Sequence, residues 1–395
     1  MLTNAATRRF ITEHQEKDVR RVALRGCADP EVDLHWALQQ IEGRQKAREK
    51  LPDFYANDNI AYPPAVSMEQ CSSSITATYK ASLWQGDSLA DLTGGFGVDT
   101  FAFAAKFQEI DWVEPQESLV KIVQHNANTL GISNIRFHTE TMETALSRLP
   151  IHECLYLDPS RRDTHGQRVV ALEDCQPNIL QWKSKLLDHA RHCIMLKLSP
   201  MIDIRQVLRQ LPETESVHVV AVKGECKEVL FLLSHTRTPN PVIHAVDLLP
   251  DGTRHFQFTM DEESNTALTP IEKIGTYLFE PNAAVLKAGA FKSIAQHYSV
   301  GKLHPHSHLY TGEEIPDDFP GKIFRIIKTV PFHKKEIRQQ LSSVAKANIA
   351  VRNFPLSSEE LRKKLNIKDG RDVFLFGTTL WDSTHVIIVA ERISC

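Results

Sequence analysis

No apolar run in this chain of 395 residues approaches the roughly 20 consecutive residues that a membrane-spanning helix needs, so no membrane segment is expected. The opening residues, Met1-Leu2-Thr3-Asn4-Ala5-Ala6-Thr7-Arg8-Arg9, lack the apolar core of a signal peptide, which points to the cytoplasm. Cysteine is sparse and scattered: seven residues, at 27, 71, 154, 175, 193, 226 and 395, form no Cys-x-x-Cys pair. An odd, dispersed set argues for a reducing compartment, and against a disulfide framework or a zinc site. No metal is expected elsewhere either. His304, His306 and His308 alternate in one loop, but no Cys, Asp or Glu completes them at metal-ligand spacing. Charge of one sign is also missing. A net charge of −3 with 24% charged and 42% hydrophobic residues describes an ordinary globular protein, long enough for two or three domains.

What is present centres on Asp91-Leu92-Thr93-Gly94-Gly95-Phe96-Gly97-Val98-Asp99, read as a strand end, a glycine-rich turn and the start of a helix. Such a turn lets backbone approach a ligand, and the helix that follows aims unpaired N–H groups at it. A dinucleotide site wants Gly-x-Gly-x-x-Gly; here the glycines fall at 94, 95 and 97, and Thr100 stands where the third would be. Glu114 ends the next predicted strand, 23 residues after Asp91, where an acid accepts hydrogen bonds from ribose hydroxyls in nucleotide-binding α/β units. The segment resembles motif I of the class I S-adenosylmethionine-dependent methyltransferases, acid-x-Gly-x-Gly-x-Gly. Asp91, Gly95 and Gly97 match it, and Thr93 replaces the first glycine. That resemblance implies an S-adenosyl-L-methionine site made from Asp91, Thr93, Gly94, Gly95, Gly97 and Glu114, with Thr141 or Met142 against the adenine.

From Ser88 strands and helices alternate, the signature of a parallel sheet covered on both faces. Strands are predicted at Ser88–Leu92, Glu109–Val113, Asn134–His138, Cys154–Leu157 and Cys193–Leu198, then a hairpin of Val217–Val222 and Glu228–Leu233. Ser67–Leu83 reads as one helix preceding the first strand, capped at or near Ser67. The fourth strand runs into Asp158-Pro159-Ser160-Arg161-Arg162-Asp163. Catalysis in an open α/β sheet belongs at such carboxyl ends. Methyltransferases acting on exocyclic amines carry Asp/Asn-Pro-Pro-aromatic there, and their acceptors align the nitrogen lone pair with the methyl group. Asp158, Pro159, Ser160 and Arg161 are therefore the candidate catalytic residues, although the aromatic that would stack on a flipped base is absent. The loop also resembles that of uracil-5-methyltransferases. Those need a cysteine after strand five, where this chain reads Lys197-Leu198-Ser199-Pro200 and Cys193 lies at the wrong end, so uracil chemistry is disfavoured.

Four segments are expected: helical 1–65, a methyltransferase domain over 66–235, an α+β connection over 236–320, and a basic module over 321–395. A hairpin of Ile243–Leu249 and His255–Met260, lying outside the sheet, and a helix over 281–297 are predicted in the third. In the fourth, 14 Lys or Arg face 7 Asp or Glu, against an acidic remainder. Segregated positive charge is the footprint of a nucleic-acid binder. Arg161, Arg162, Lys334, Lys335, Arg338, Arg352, Arg362, Lys363 and Lys364 are the candidate contacts, with solvated lysines as the plainer reading. The run Arg44 to Lys50 reads either as a solvated helix end or as an RNA-contacting face.

Glu69-Gln70-Cys71-Ser72-Ser73, Asp91-Leu92-Thr93-Gly94-Gly95 and Asn348-Ile349-Ala350-Val351-Arg352-Asn353-Phe354-Pro355 together resemble bacterial methyltransferases with a THUMP-like C-terminal domain. The fold so implied is α/β: a Rossmann-like seven-stranded methyltransferase sheet, with an N-terminal helical segment and a C-terminal α+β module, ferredoxin-like or THUMP-like. The function implied is methylation of a base nitrogen of rRNA or tRNA. A small-molecule methyltransferase and a non-catalytic, cofactor-binding RNA-binding protein are the rival readings.

Overall fold

In the computed structural model, residues 3–160, 172–342, 344–370 and 372–393 are described. The backbone divides into two compact units, one of residues 1–215 and 230–238, the other of 216–229 and 239–395.

The first unit opens with helices Ala5–His14, Val19–Arg25 and Leu34–Lys50, each started by an acceptor side chain: Asn4, Asp18 and Asp33. The third begins at Leu34, where the Asp33 carboxylate accepts the Trp36 N–H at 3.0 Å. The single helix expected over 67–83 is two, Ala65–Gln70 and Ser74–Leu83. Cys71 is extended, and Ser73 and Thr76 form a reciprocal cap that restarts the helix.

The sheet follows. Strands β1 (Gly86–Asp91), β2 (Phe107–Val113), β3 (Ile135–His138), β4 (His152–Leu157) and β5 (Ala190–Leu198) are parallel in the order β3-β2-β1-β4-β5. Leu89, Ala90, Ile110, Trp112, Leu155, Tyr156, Met195 and Leu196 are all buried, as expected where helices cover both faces. Asp111 in β2 ties its neighbours together. It accepts from Arg136 at 2.9 and 2.8 Å, and its oxygens lie 2.6 and 2.7 Å from the rings of His138 and His152. Burial alone would raise its pKa, but these partners, Arg136 foremost, hold the carboxyl well below the usual range.

β6 (Thr214–Val222) turns at Lys223 and Gly224 into β7 (Glu225–Leu233), and residues 216–229 of this hairpin belong to the second unit. Both turn residues have left-handed φ, 52° and 79°, the geometry of a two-residue hairpin loop. The hairpin of β8 (Val242–Leu249) and β9 (Gly252–Thr259) does not stand apart as its sequence suggested. β8 runs parallel to β6 from Ser216↔Val242 to Val222↔Leu248, and β9 pairs antiparallel beyond it. Nor is 281–297 a single helix. It ends after Ala288 at left-handed Gly289 and restarts over Ser293–His297.

The second sheet of this unit contains β10 (Tyr277–Pro281), β11 (Gly301–Lys302), β12 (Tyr310–Gly312), β13 (Gly321–Pro331), β14 (Asn348–Arg352), β15 (Val373–Thr379) and β16 (His385–Arg392). Their order is β11-β12-β10-β13-β16-β15-β14. Alternation along β16 sends Val386, Ile388 and Ala390 to one core and Ile387 and Val389 to the other. The second core holds Ile337 of helix Lys334–Gln340 and Leu361 of helix Ser358–Leu365, so both basic helices cover that face. Truncating the fully buried Leu361 to Ala would cost about 2–5 kcal/mol.

Candidate active site

Asp91 closes β1 under the glycine turn, buried at 1% exposure. Its Oδ1 accepts the Thr93 N–H at 3.1 Å, and its Oδ2 accepts the Thr100 hydroxyl. Burial pushes its carboxyl up to about 7 despite those donors. The acid that the motif requires therefore shapes the turn from beneath.

Each glycine of the turn has its own constraint. A Cβ on Gly94 would stand 2.1 Å from the Trp112 indole nitrogen, and one on Gly97 would stand 2.8 Å from Val123 Cγ1. Gly95 differs: it has a φ of +52°, yet the nearest atom to a Cβ there is the Thr93 carbonyl oxygen at 3.7 Å. A side chain on Gly95 would project into space that none of the described residues fills within 4 Å of its Cβ, apart from that oxygen, which leaves room for a ligand. Beside it, the Glu114 carboxylate accepts the N–H groups of Gly95 at 3.2 Å and Gln116 at 2.9 Å, and burial raises its pKa. Each oxygen spends one lone pair on backbone and keeps another for a hydroxyl donor. These features fit a nucleoside-bearing cofactor.

The loop after β4 is joined to that turn directly, since the Asp158 N–H donates to Thr93 Oγ1 at 2.6 Å. Asp158 is half-buried, and its Oδ2 accepts from Lys197 Nζ at 2.5 Å. Pro159 is buried. Ser160 is exposed, bridged to Gln176 by two backbone hydrogen bonds of 2.7 and 3.2 Å. Arg161 and Arg162, expected at the reacting centre and on nucleic acid, lie outside the described residues. Thr141 caps the helix Met142–Ala145 through the Thr144 N–H, and Met142 is buried at 4% exposure.

Behind Asp158 lies a charged network that the sequence did not single out. Asp99, in the first turn of helix Val98–Phe103, accepts from the Ser72 hydroxyl at 2.8 Å and the Tyr156 hydroxyl at 2.6 Å. Lys80 Nζ lies 3.2 Å from it and Lys197 Nζ 3.7 Å. Both ammonium groups also donate to Ser72 Oγ at 3.1 Å. Burial works against the Asp99 charge, but Lys80, Lys197 and the two hydroxyls hold its carboxyl at about 2. The helix break at Cys71–Ser73 is what presents Ser72 to this network.

Cys193 lies opposite Cys154 in the β4–β5 register, with the sulfurs 2.9 Å apart and away from the carboxyl end of β5. Lys197, four residues on, is the residue of that strand that reaches Asp158.

Of the candidate nucleic-acid contacts in the second unit, Lys334, Lys335, Arg338, Lys363 and Lys364 are exposed. Arg352 is paired with Glu280 at 2.7 Å and Arg362 with Asp369 at 2.6 Å. Lys364 Nζ lies 4.6 Å from the centre of the Phe332 ring, which brings the second basic helix beside the start of the first. In the histidine loop, His304 accepts from Asn353 Nδ2 at 2.9 Å, and His308 stacks on Phe291. Among the described residues no group of three His, Cys, Asp or Glu is placed to hold a metal ion. Among the described residues no helix is long and apolar enough to cross a membrane.

A parallel sheet of order β3-β2-β1-β4-β5, with a glycine turn after β1 and an acid after β2, is a Rossmann-like fold for a nucleoside-bearing cofactor. Comparison with known proteins agrees. Over 100% of both chains, at 33% identity and a TM-score of 0.90, this chain is similar to a protein of Porphyromonas gingivalis W83 classed as a methyltransferase. An uncharacterized S-adenosylmethionine-dependent methyltransferase, found in two strains of Mycobacterium tuberculosis, is 24% identical over 352 residues, which is 85% of this chain and 90% of its own. Residues 277–320 match a ferredoxin-like domain, and residues 321–392 match a domain described as THUMP domain-like. The chain belongs to the family of class I S-adenosylmethionine-dependent methyltransferases that carry a THUMP-like C-terminal domain.

Proposed function

We propose that the protein methylates a base nitrogen, an exocyclic amine, of rRNA or tRNA. The observation that carries this reading is the hydrogen bond from the Asp158 N–H to Thr93 Oγ1, which sets a carboxylate at the edge of the glycine turn. When bound, S-adenosylmethionine supplies an electrophilic methyl group. Gly95 leaves room for its methionine part, and Glu114 offers acceptors to its ribose. Among the described residues Lys197 occupies Asp158 Oδ2, so Oδ1 and a neighbouring carbonyl are the acceptors for the hydrogens of an amine. An amine held there has its lone pair oriented without a strong base. The RNA substrate is supported by the THUMP-like match and by the exposed lysines on the two helices covering that sheet.

Asp158→Ala tests the reading. It should bind cofactor at nearly parental affinity, yet lose transfer of radiolabelled methyl groups to bulk rRNA and tRNA. Transfer at the parental rate would remove Asp158 from the chemistry. A parental enzyme that methylates no RNA from a strain lacking its gene would overturn the RNA substrate itself.

A further inference from the structure

Within the first unit, some basic residues are already paired and others make no ion pair among the described residues. The run at the end of helix Leu34–Lys50 is paired: Arg44 with Asp58 at 2.7 Å, Lys46 with Glu69 at 2.8 Å and Glu42 at 2.9 Å, and Arg48 with Glu16. Lys50 donates to the carbonyl oxygens of Met68 at 2.8 Å and Glu69 at 2.9 Å. That face is internal wiring.

Helix Val19–Arg25 is the opposite case. Val22 is its only buried residue, while Arg20, Arg21, Leu24 and Arg25 are exposed, Leu24 at 88%. Among the described residues none of the three guanidinium groups has an ion pair or a side-chain hydrogen bond. Their placement works against the helix. Arg20 and Arg21 crowd its first turn, at the positive end of the helix dipole, where the N-cap carboxylate of Asp18 is engaged by the Arg21 backbone N–H at 3.0 Å and pairs with neither guanidinium. Arg21 and Arg25 are like charges four residues apart on one face. An external polyanion would relieve both. A large aliphatic side chain standing bare among three arginines fits a partner that offers apolar surface between its charges, as the bases and phosphates of a single strand do.

The helix is also tied, through the long helix Leu34–Lys50, to elements that support the reacting centre. Gln45 Nε2 donates to the carbonyl oxygens of Gln15 and Lys17, both at 2.8 Å, and Arg48 pairs with Glu16, so the segment leading into the helix is held. Five residues further along the same long helix, about 7.5 Å of rise, Lys50 grips Met68 and Glu69. Those two residues lead into Cys71 and Ser72, and Ser72 touches Lys197 and Asp99. Contacts thus run from the segment before the arginine helix, through Lys50 and Ser72, to Lys197, which holds Asp158.

We infer that helix Val19–Arg25 is a phosphate-contacting surface for the RNA strand that flanks the target nucleotide. This rests on the RNA substrate proposed above. The test uses the full chain and bulk rRNA and tRNA, with binding measured against salt. Reversal of Arg20, Arg21 and Arg25 to Glu, and separately to Gln, should weaken binding on the order of ten-fold or more at moderate salt. It should flatten the slope of log affinity against log salt by about 2, near 0.7 for each of three contacts. Arg20→Lys/Arg21→Lys/Arg25→Lys should keep most of both; in all these variants cofactor affinity should not move and the melting temperature should not fall. Parental RNA affinity and slope in the Glu and Gln variants overturn the inference and leave the RNA substrate standing. A parental protein that binds no RNA overturns both. Binding to anionic phospholipid vesicles that these variants lose, with RNA binding unchanged, assigns the helix to a membrane surface and overturns it as well.

Discussion

Lys80 is fully buried, and its ammonium has Asp99 at 3.2 Å and Ser72 at 3.1 Å. Replacing it by Met removes the cation but keeps a side chain that fits the space. Asp99 would then be left buried with Lys197 at 3.7 Å as its remaining counterion. Breaking a buried pair from one side costs about 3–5 kcal/mol. The titration of Asp99 points the same way: against the cost of its burial, Lys80 and Lys197 hold its carboxyl below the unfolded value. The sign follows from the depressed value: the contribution is complete above about pH 4 and is lost as pH falls through about 2. Lys80→Met should lower the melting temperature at pH 7 by roughly 6–20 °C, taking about 2–4 °C per kcal/mol. Its acid limb should also move to higher pH, because Asp99 protonates more readily. Adding Asp99→Asn should recover part of the loss, since no uncompensated charge remains. Calorimetric melts of the three proteins between pH 3 and 7 decide it. A Lys80→Met protein within about 1 kcal/mol of the parent, or a double variant less stable than Lys80→Met alone, would refute the reasoning.

Gly95→Val and Glu114→Ala should each weaken S-adenosylmethionine binding in a titration calorimeter, one by filling the room left for a ligand and the other by removing the ribose acceptor. Circular dichroism should be unchanged, and parental affinity in both would sink the assignment. Asp91, raised by burial to about 7, favours its neutral form in the fold. Its stabilising contribution is present below about pH 4 and is lost as pH rises through about 7, so Asp91→Asn should flatten the pH dependence of urea unfolding in that window; an unaltered profile counts against it. Reversing Lys334, Lys335 and Lys363 to Glu should flatten the salt dependence of RNA binding by about 2 slope units, leaving cofactor affinity unchanged; an unchanged slope would make them solvated lysines.

The features written in short stretches were readable in advance. Asp91, the glycine turn and Glu114 belong to local patterns whose physics is the backbone's own. Asp158 could be placed because a strand end in an α/β sheet has a fixed meaning. The network around Asp99 was not readable for the opposite reason. Ser72 meets Lys197 across 125 residues, and each member has a bland local identity. Lys80 reads as one more lysine on a helix, and Lys197 as the polar tail of an apolar strand. The break before Ser74 was hidden because its cap uses Thr76 in place of the usual Glu or Gln. The β6–β8 pairing was missed because two adjacent hairpins carry no mark of a parallel ladder between them. The exposed arginines of 20–25 look the same in sequence as the paired basics of 44–50; only the positions of the acids separate them.

Trp112, wholly buried in β2, holds its indole nitrogen under Gly94 with no hydrogen-bond partner among the described residues. That makes it a built-in optical reporter. An indole in dry, apolar surroundings emits toward the blue, and its emission responds to any displacement of the polar backbone above it. Whatever settles on the glycine turn presses on the chromophore through one peptide unit. Occupancy can therefore be followed by light from the unlabelled protein, with the other four tryptophans replaced by Phe to clear the background.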